Sequence, residues 1–291
     1  MTLAATARAF PAGQAADGGA DGPPDANPAG SPDSAPRPGR NRVTANATIE
    51  AVAGPDGVTR LPVLASQVPL VLRRTPSAVY LVGGAAGPLG GDQLTLRITV
   101  GAGAFLRLRT AAASIALPGL DGLESVLQVS VTVAAGGRLE YLPEPVVVAD
   151  GARHATVVSA VLADGASLLL RDELLLGRHG EAGGSARSVL RADYAGRPLL
   201  RHSVEVGGAD RVSRGPALLA GHRGVGTLLL AGADAAGSEA DALAAGASPE
   251  VAVLPLAGPG LLVTALAGDA VTLRRRLTLP DRRMVVTTGR L

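Results

Sequence analysis

Beyond about residue 43, apolar and polar positions alternate with a period of two along most of the chain, the mark of strands buried on one face. Three segments share one phrase: an alternating strand, a short break at a glycine, and a second alternating strand. They are Val100-Gly101-Ala102-Gly103-Ala104-Phe105-Leu106-Arg107-Leu108, Val133-Ala134-Ala135-Gly136-Gly137-Arg138-Leu139-Glu140-Tyr141 and Leu162-Ala163-Asp164-Gly165-Ala166-Ser167-Leu168-Leu169-Leu170. The matched glycines Gly103, Gly136 and Gly165 recur about every 30 residues, a period typical of stacked supersecondary units. Glycine suits the break because it enters the positive-φ region that a tight turn requires. The pattern predicts stacked β-hairpins or β-helix-like solenoid coils. A β-sandwich whose hairpins share one turn type is the alternative.

Further strands are expected over Thr44–Ala53 and over residues 59–64, 69–72 and 78–82, with a turn at 54–57. Residues 186–194 and 198–206 read as a hairpin about Ala195-Gly196. The pattern changes late in the chain. Residues 238–245 and 269–277 predict two short helices, the first opening on Ser-x-x-Asp, the second with Asp269 at its start and Arg274, Arg275 and Arg276 in its last turn. The fold class is therefore mainly β with two short C-terminal helices. Residues 1–42 are rich in Ala, Gly, Pro, Asp and Ser and hold too little apolar surface to offset ordering entropy. They predict a disordered tail before a single β domain over 43–291.

Composition narrows the chemistry. Hydrophobic residues make up 47% of the 291 positions but aromatics only 2%, so the core must be built from Leu, Val and Ala. With Cys 0, disulfides, thiolate metal sites and cysteine nucleophiles are excluded within this chain. All 27 basic residues are Arg, yet the net charge is only +2 and no basic patch interleaves with aromatics, which argues against nucleic-acid binding. No apolar run reaches the ~20 residues that span a bilayer, and the N-terminus lacks a signal-peptide pattern, so a cytoplasmic protein without a membrane partner is expected.

The Gly-rich loop 83–92 lacks a Gly-Lys-Ser/Thr ending and precedes a strand rather than a helix, so it reads as a structural loop that Asp92 caps by accepting backbone N–H bonds. His154, His179, His202 and His222 show no metal-ligand spacing, and no G-x-S-x-G elbow is present. Glu140, Glu144 and Asp150 cluster in sequence, and Asp172 and Glu173 stand in a similar place in the third unit. Glu140 faces opposite to Tyr141 and must be exposed, paired or liganded. These carboxylates are either solvated or Arg-paired, or they are oxygen ligands lining a path for a divalent cation.

One run carries a family resemblance. Leu139-Glu140-Tyr141-Leu142-Pro143-Glu144-Pro145-Val146-Val147-Val148-Ala149-Asp150-Gly151-Ala152 resembles the L-E-W-L-P-Q-E-x-I-x-F-D-G-A hallmark of the urease accessory protein family UreD, also called UreH. Upstream, Tyr80 through Asp92 resembles its L-N-P-x-G-G-x-x-G-G-D element, and Val100 to Ala104 followed by Leu108 to Ala113 resembles its V-x-x-G-A…T-T-Q-A-A-T-K run. Gln67-Val68-Pro69-Leu70 and Gly226-Thr227-Leu228-Leu229-Leu230 are similar to its Q-x-P-L and G-T-L strands. The matches fall in family order from about residue 60 to 276. This chain departs from the pattern at Ala112, Tyr141, Glu144 and Pro145.

The resemblance implies a non-enzymatic scaffold of stacked β architecture. It implies binding to the accessory protein UreF, to the GTPase UreG through it, and to the urease apoprotein, with nickel (Ni2+) passing in transit and no tightly bound cofactor. Matching by residue carries Glu140, Asp150 and Asp92 over as tunnel or interface carboxylates. Glu144, standing where Gln is usual, is the weaker of the four. A purely structural interaction module is the rival reading, and a hydrolase using Glu140 and Asp150 is a third.

Overall fold

The alternation is realised as strands almost throughout. In the computed structural model, which describes residues 42–208, 215–235 and 248–278, the chain enters through β1 (Thr44–Ala53), β2 (Thr59–Ala65), β3 (Leu70–Arg74) and β4 (Val79–Gly83). Three coils follow. β5 (Gln93–Val100) turns into β6 (Phe105–Thr110) and the short β7 (Ser114–Ala116). β8 (Ser125–Val133) turns into β9 (Arg138–Leu142) and the short β10 (Val146–Val148), and β11 (Arg153–Leu162) turns into β12 (Ser167–Leu176). The remaining elements are β13 (Ser185–Tyr194), β14 (Arg197–Gly207), β15 (Gly224–Gly232), a 3-10 turn at Ala233–Ala235, β16 (Val251–Pro255), β17 (Gly260–Ala267) and helix α1 (Ala270–Arg276). The helix expected over 238–245 and the tail expected before Arg42 lie outside the described residues.

Two sheets form. One runs β14-β13-β11-β8-β5-β1-β2 and the other β16-β17-β15-β12-β9-β6-β4-β3. β1, β5, β8, β11 and β13 are parallel to one another, as are β4, β6, β9 and β12. The two strands flanking each repeated glycine therefore do not pair. They lie in different sheets, each beside its equivalent in the next coil. Of the two stacked forms expected, the coil is the one realised, a β-solenoid. Hairpins occur where a turn joins antiparallel neighbours, as in β1–β2 and β13–β14.

The repeated glycines are the solenoid corner. Gly103, Gly136 and Gly165 have φ of 66°, 66° and 73°. They also stack: a Cβ on Gly136 would stand 3.7 Å from the Gly103 nitrogen, and one on Gly165 3.7 Å from the Gly136 nitrogen. The Tyr194 hydroxyl closes this ladder. It accepts from the Gly165 N–H at 3.0 Å and donates to Asp164 at 2.9 Å. Gly136→Ala is expected to cost about 1–2 kcal/mol of stability through left-handed strain alone, read as a lower urea midpoint at unchanged m-value.

Between the sheets lies an aliphatic core. Ala45, Ala47, Leu96, Ile98, Val131, Ala160 and Leu162 from one sheet meet Leu106, Leu108, Leu139, Leu168, Leu170 and Leu229 from the other. Small residues pack the coils closely without aromatics, as the composition requires. The sheet edges are blunted: Pro62 sits in β2, Pro198 in β14 and Pro255 ends β16, while β3 ends in Arg73-Arg74. Helix α1 begins where expected, with Asp269 accepting from the Thr272 N–H at 2.9 Å. Leu273 and Leu277 bury against the outer face of the second sheet. Gly226 of β15 leaves the space, since a Cβ there would stand 2.6 Å from Leu277 Cδ1.

Candidate functional site

The inner faces are not aliphatic along their whole length. At the glycine corner they carry only Leu, Val, Ile and Ala, but toward the other end of the coils polar groups take the same phase. On β12 the inward sequence is Leu168, Leu170, Asp172, Leu174, all buried. Facing it from the other sheet, β11 contributes His154 and Thr156, while Tyr141 of β9 stands beside Leu170 in the same sheet. These side chains line a cavity of about 480 Å3 between the two sheets, with Leu81, Leu94 and Val158 among its apolar walls. Its rim includes the exposed residues Ala85, Ala86 and Ala111 to Ala113.

Asp172 is the unusual group. Ser188 of β13 donates to its carboxylate at 2.5 Å, and no arginine pairs with it among the described residues. Burial, offset in part by the Ser188 bond, raises its affinity for a proton. The neighbouring Tyr141 phenol is pushed up by burial first and by Asp172 second. His154 is pushed down to about 4 by burial and stays neutral near pH 7. Its Nδ1 lies 2.9 Å from Ser125 Oγ and its Nε2 3.3 Å from Thr156 Oγ1. Ser125 also donates to the Arg153 carbonyl at 3.3 Å. With that donation made, Nδ1 carries the imidazole proton and Nε2 is left as an acceptor.

This histidine predicts an acid sensitivity. Between its ordinary 6.5 and about 4, the unfolded chain takes up a proton that the folded chain refuses. Stability therefore falls as pH falls through that window, by up to about 3 kcal/mol. Asp172 acts in the opposite sense, holding its proton to higher pH when folded. The His154 contribution is isolated as the difference in urea-unfolding slope against His154→Gln between pH 6.5 and 4.

The carboxylates singled out from sequence are dispersed. Glu140 points to the outer face of the second sheet, where Arg107 Nε donates to it at 2.7 Å and Arg109 stands 3.9 Å away. Asp92 accepts from the Val43 and Leu89 N–H groups at 3.1 and 2.9 Å, the loop-capping role expected of it. Asp150 is exposed in the turn after β10, its own N–H donating to Glu181 at 3.2 Å. Glu144, in the proline-rich bend after β9, does line the cavity. Arg274 of α1 holds it with two bonds of 3.1 Å and also donates to Glu173 at 2.6 Å. Glu173, whose side chain is 0% exposed, lies 3.2 Å from Arg171 Nε. Arg171, another lining residue, donates to the Pro143 carbonyl at 3.0 Å.

Of the four carboxylates carried over from the sequence only Glu144 lines the cavity; Asp172 was noted there without being singled out, and Tyr141 and His154 were not proposed as site residues. One signal was readable: a carboxylate in the phase of three inward leucines cannot be solvated without cost. Among the described residues no three His, Asp or Glu side chains stand together as a metal cage.

The family described as UreD urease accessory protein matches residues 44–280. A urease accessory protein UreD of Frankia alni is 46% identical over 282 residues, covering 84% of this chain and 94% of the relative. A urease accessory protein UreD 3 of Streptomyces griseus is 44% identical over 256 residues, covering 84% of this chain and 99% of the relative. A urease accessory protein UreD of Frankia casuarinae is 43% identical over 288 residues, covering 84% of this chain and 90% of the relative.

Proposed function

The chain belongs to the UreD family of urease accessory proteins, with a role in urease maturation, and on that premise we propose that it is a non-catalytic scaffold that binds UreF, UreG and the urease apoprotein and assists nickel delivery. The observation that supports this most is the cavity between the sheets, with Asp172 inside it and unpaired by any arginine among the described residues. A divalent cation supplies the positive charge that this carboxylate lacks. The Asp172 carboxylate and the neutral His154 imidazole are oxygen and nitrogen donors suited to borderline cations such as nickel. One or two such ligands, with water completing the shell, bind a cargo weakly enough to release it. Glu144 at the lining and the arginines around it would set the field at one wall.

A second reading is favoured by a different observation. Glu140, Glu144 and Glu173 are each held by arginines, as purely structural carboxylates are. On that reading the chain is an interaction module with no part in metal transfer. The readings separate in an activation assay. Urease apoprotein, UreF, UreG and nickel are combined with and without this chain, and nickel bound to urease is measured. The scaffold reading expects loading that depends on this chain. Stable association with loading independent of it would leave only the interaction module.

A further inference from the structure

The outer face of the second sheet is covered on one side only. Over β12, β15 and β17 it buries beneath α1, through Leu273, Leu277 and the Arg274 ion pairs. Over β3, β4 and β6 no described element packs on it. The register aligns Arg73, Tyr80 and Arg109 side by side across the three strands. Neighbouring groups on one face of such a ladder stand about 5 Å apart at Cβ. Arg107 and Phe105 lie next along β6, the guanidinium 5.3 Å from the ring centroid. Phe105, Arg107 and Arg109 alternate with buried Leu106 and Leu108, which fixes them on the outer face. A chain with only three Tyr and two Phe thus sets one of each here.

Arginines gather on this face: Arg107 and Arg109 both approach the Glu140 carboxylate, and Arg73 stands beyond Tyr80 on β3. Arg107 takes that carboxylate at 2.7 Å, which leaves Arg109 at 3.9 Å with no hydrogen bond among the described residues. Arg73 donates only to the Leu72 carbonyl among them. A half-buried arginine with its donor fork unfilled is preset for a bidentate carboxylate. Arginine and tyrosine together at a partly desolvated centre are also the composition of interface hot spots.

We propose that this half-sheet is a docking face for a protein partner of urease maturation, and that the partner presents Asp or Glu side chains to Arg109 and Arg73 on either side of Tyr80. The inference rests on the scaffold reading but concerns a face distinct from the cavity lining named above. It assigns charge complementarity to the contact, so association should weaken with rising salt.

The test is site-specific photocross-linking in the full chain, co-expressed with the urease apoprotein and its accessory proteins. A benzophenone amino acid replaces Tyr80, and a control probe replaces Ile115 at the cavity rim. The proposal expects a cross-link from position 80 to an Asp/Glu-bearing segment of one of those proteins. Arg73→Glu with Arg109→Glu should lower its yield at least about tenfold, as like-charge contacts do. Arg109→Lys, which keeps the Glu140 attraction but loses the fork, should give an intermediate loss. Thermal unfolding of each variant guards against misfolding, and Arg73→Glu alone, at an exposed position, keeps the test decisive if the double variant is unstable. Urease loading that proceeds normally with no cross-link from position 80, or a yield unchanged by Arg73→Glu and by the double variant, overturns this inference and leaves the scaffold reading standing. Failure of the unmodified chain to associate with any of these proteins overturns both.

Discussion

Replacing Glu173 by alanine is expected to lower the unfolding free energy by about 3–5 kcal/mol, the largest single-site stability effect the structure predicts. The carboxylate is fully buried and is the shared partner of Arg171 and Arg274. Its removal leaves a buried arginine, already disfavoured in its charged form by desolvation, without its principal counter-charge. It also removes the bond that ties α1 to β12, so Leu273 and Leu277 lose their fixed seat on the sheet. Arg274 keeps Glu144, so the helix retains one tether and the loss stays short of complete unfolding. Urea unfolding of Glu173→Ala, Arg274→Ala and the double variant would check this. Strong non-additivity is expected, because both changes break one network.

The second large effect falls on function and spares the fold. Asp172→Asn keeps a side chain of the same shape that accepts from Ser188, and it discards the negative charge. Burial disfavours the charged form of Asp172, so discarding the charge should cost the fold little. On the proposed reading, however, a cation in the cavity loses the one anionic lining group among the described residues that no arginine holds. Nickel loading of urease should drop at least about tenfold, equivalent to about 1.4 kcal/mol of lost stabilisation along the route. Asp150→Ala, at an exposed turn away from the cavity lining, is the comparison that should leave loading near the unmodified level.

Much of this architecture was legible in residues. The three-fold phrase with Gly103, Gly136 and Gly165 announced stacked units, because a positive-φ corner admits little else at each turn. What the phrase does not encode is the partner of each strand. Val133 and Arg138 flank a break that reads equally as hairpin or corner, and only contacts about 30 residues away decide between them. α1 was legible from both ends, since Asp269 caps it and arginines close it.

The site was less legible, for a physical reason. Glu140 and Asp150 attract notice because they sit in a recognisable run, yet alternation sends Glu140 to the outer face and a turn leaves Asp150 exposed. Asp172 and His154 face each other's sheet across the cavity, and β12 and β11 reach that arrangement only through the corner at Gly165. Periodicity supplies the phase of each strand separately. The phase of β12 could have placed Asp172 inward, but not opposite an imidazole.

The central claim is that a buried, uncompensated carboxylate inside the solenoid serves the cargo. The most direct test measures nickel per urease active site after activation with the unmodified chain and with Asp172→Asn, at matched amounts of co-purified complex. The account predicts equal assembly and a loss of nickel of at least about tenfold with the variant. Equal assembly with undiminished nickel would contradict it and leave the cavity without a part in delivery.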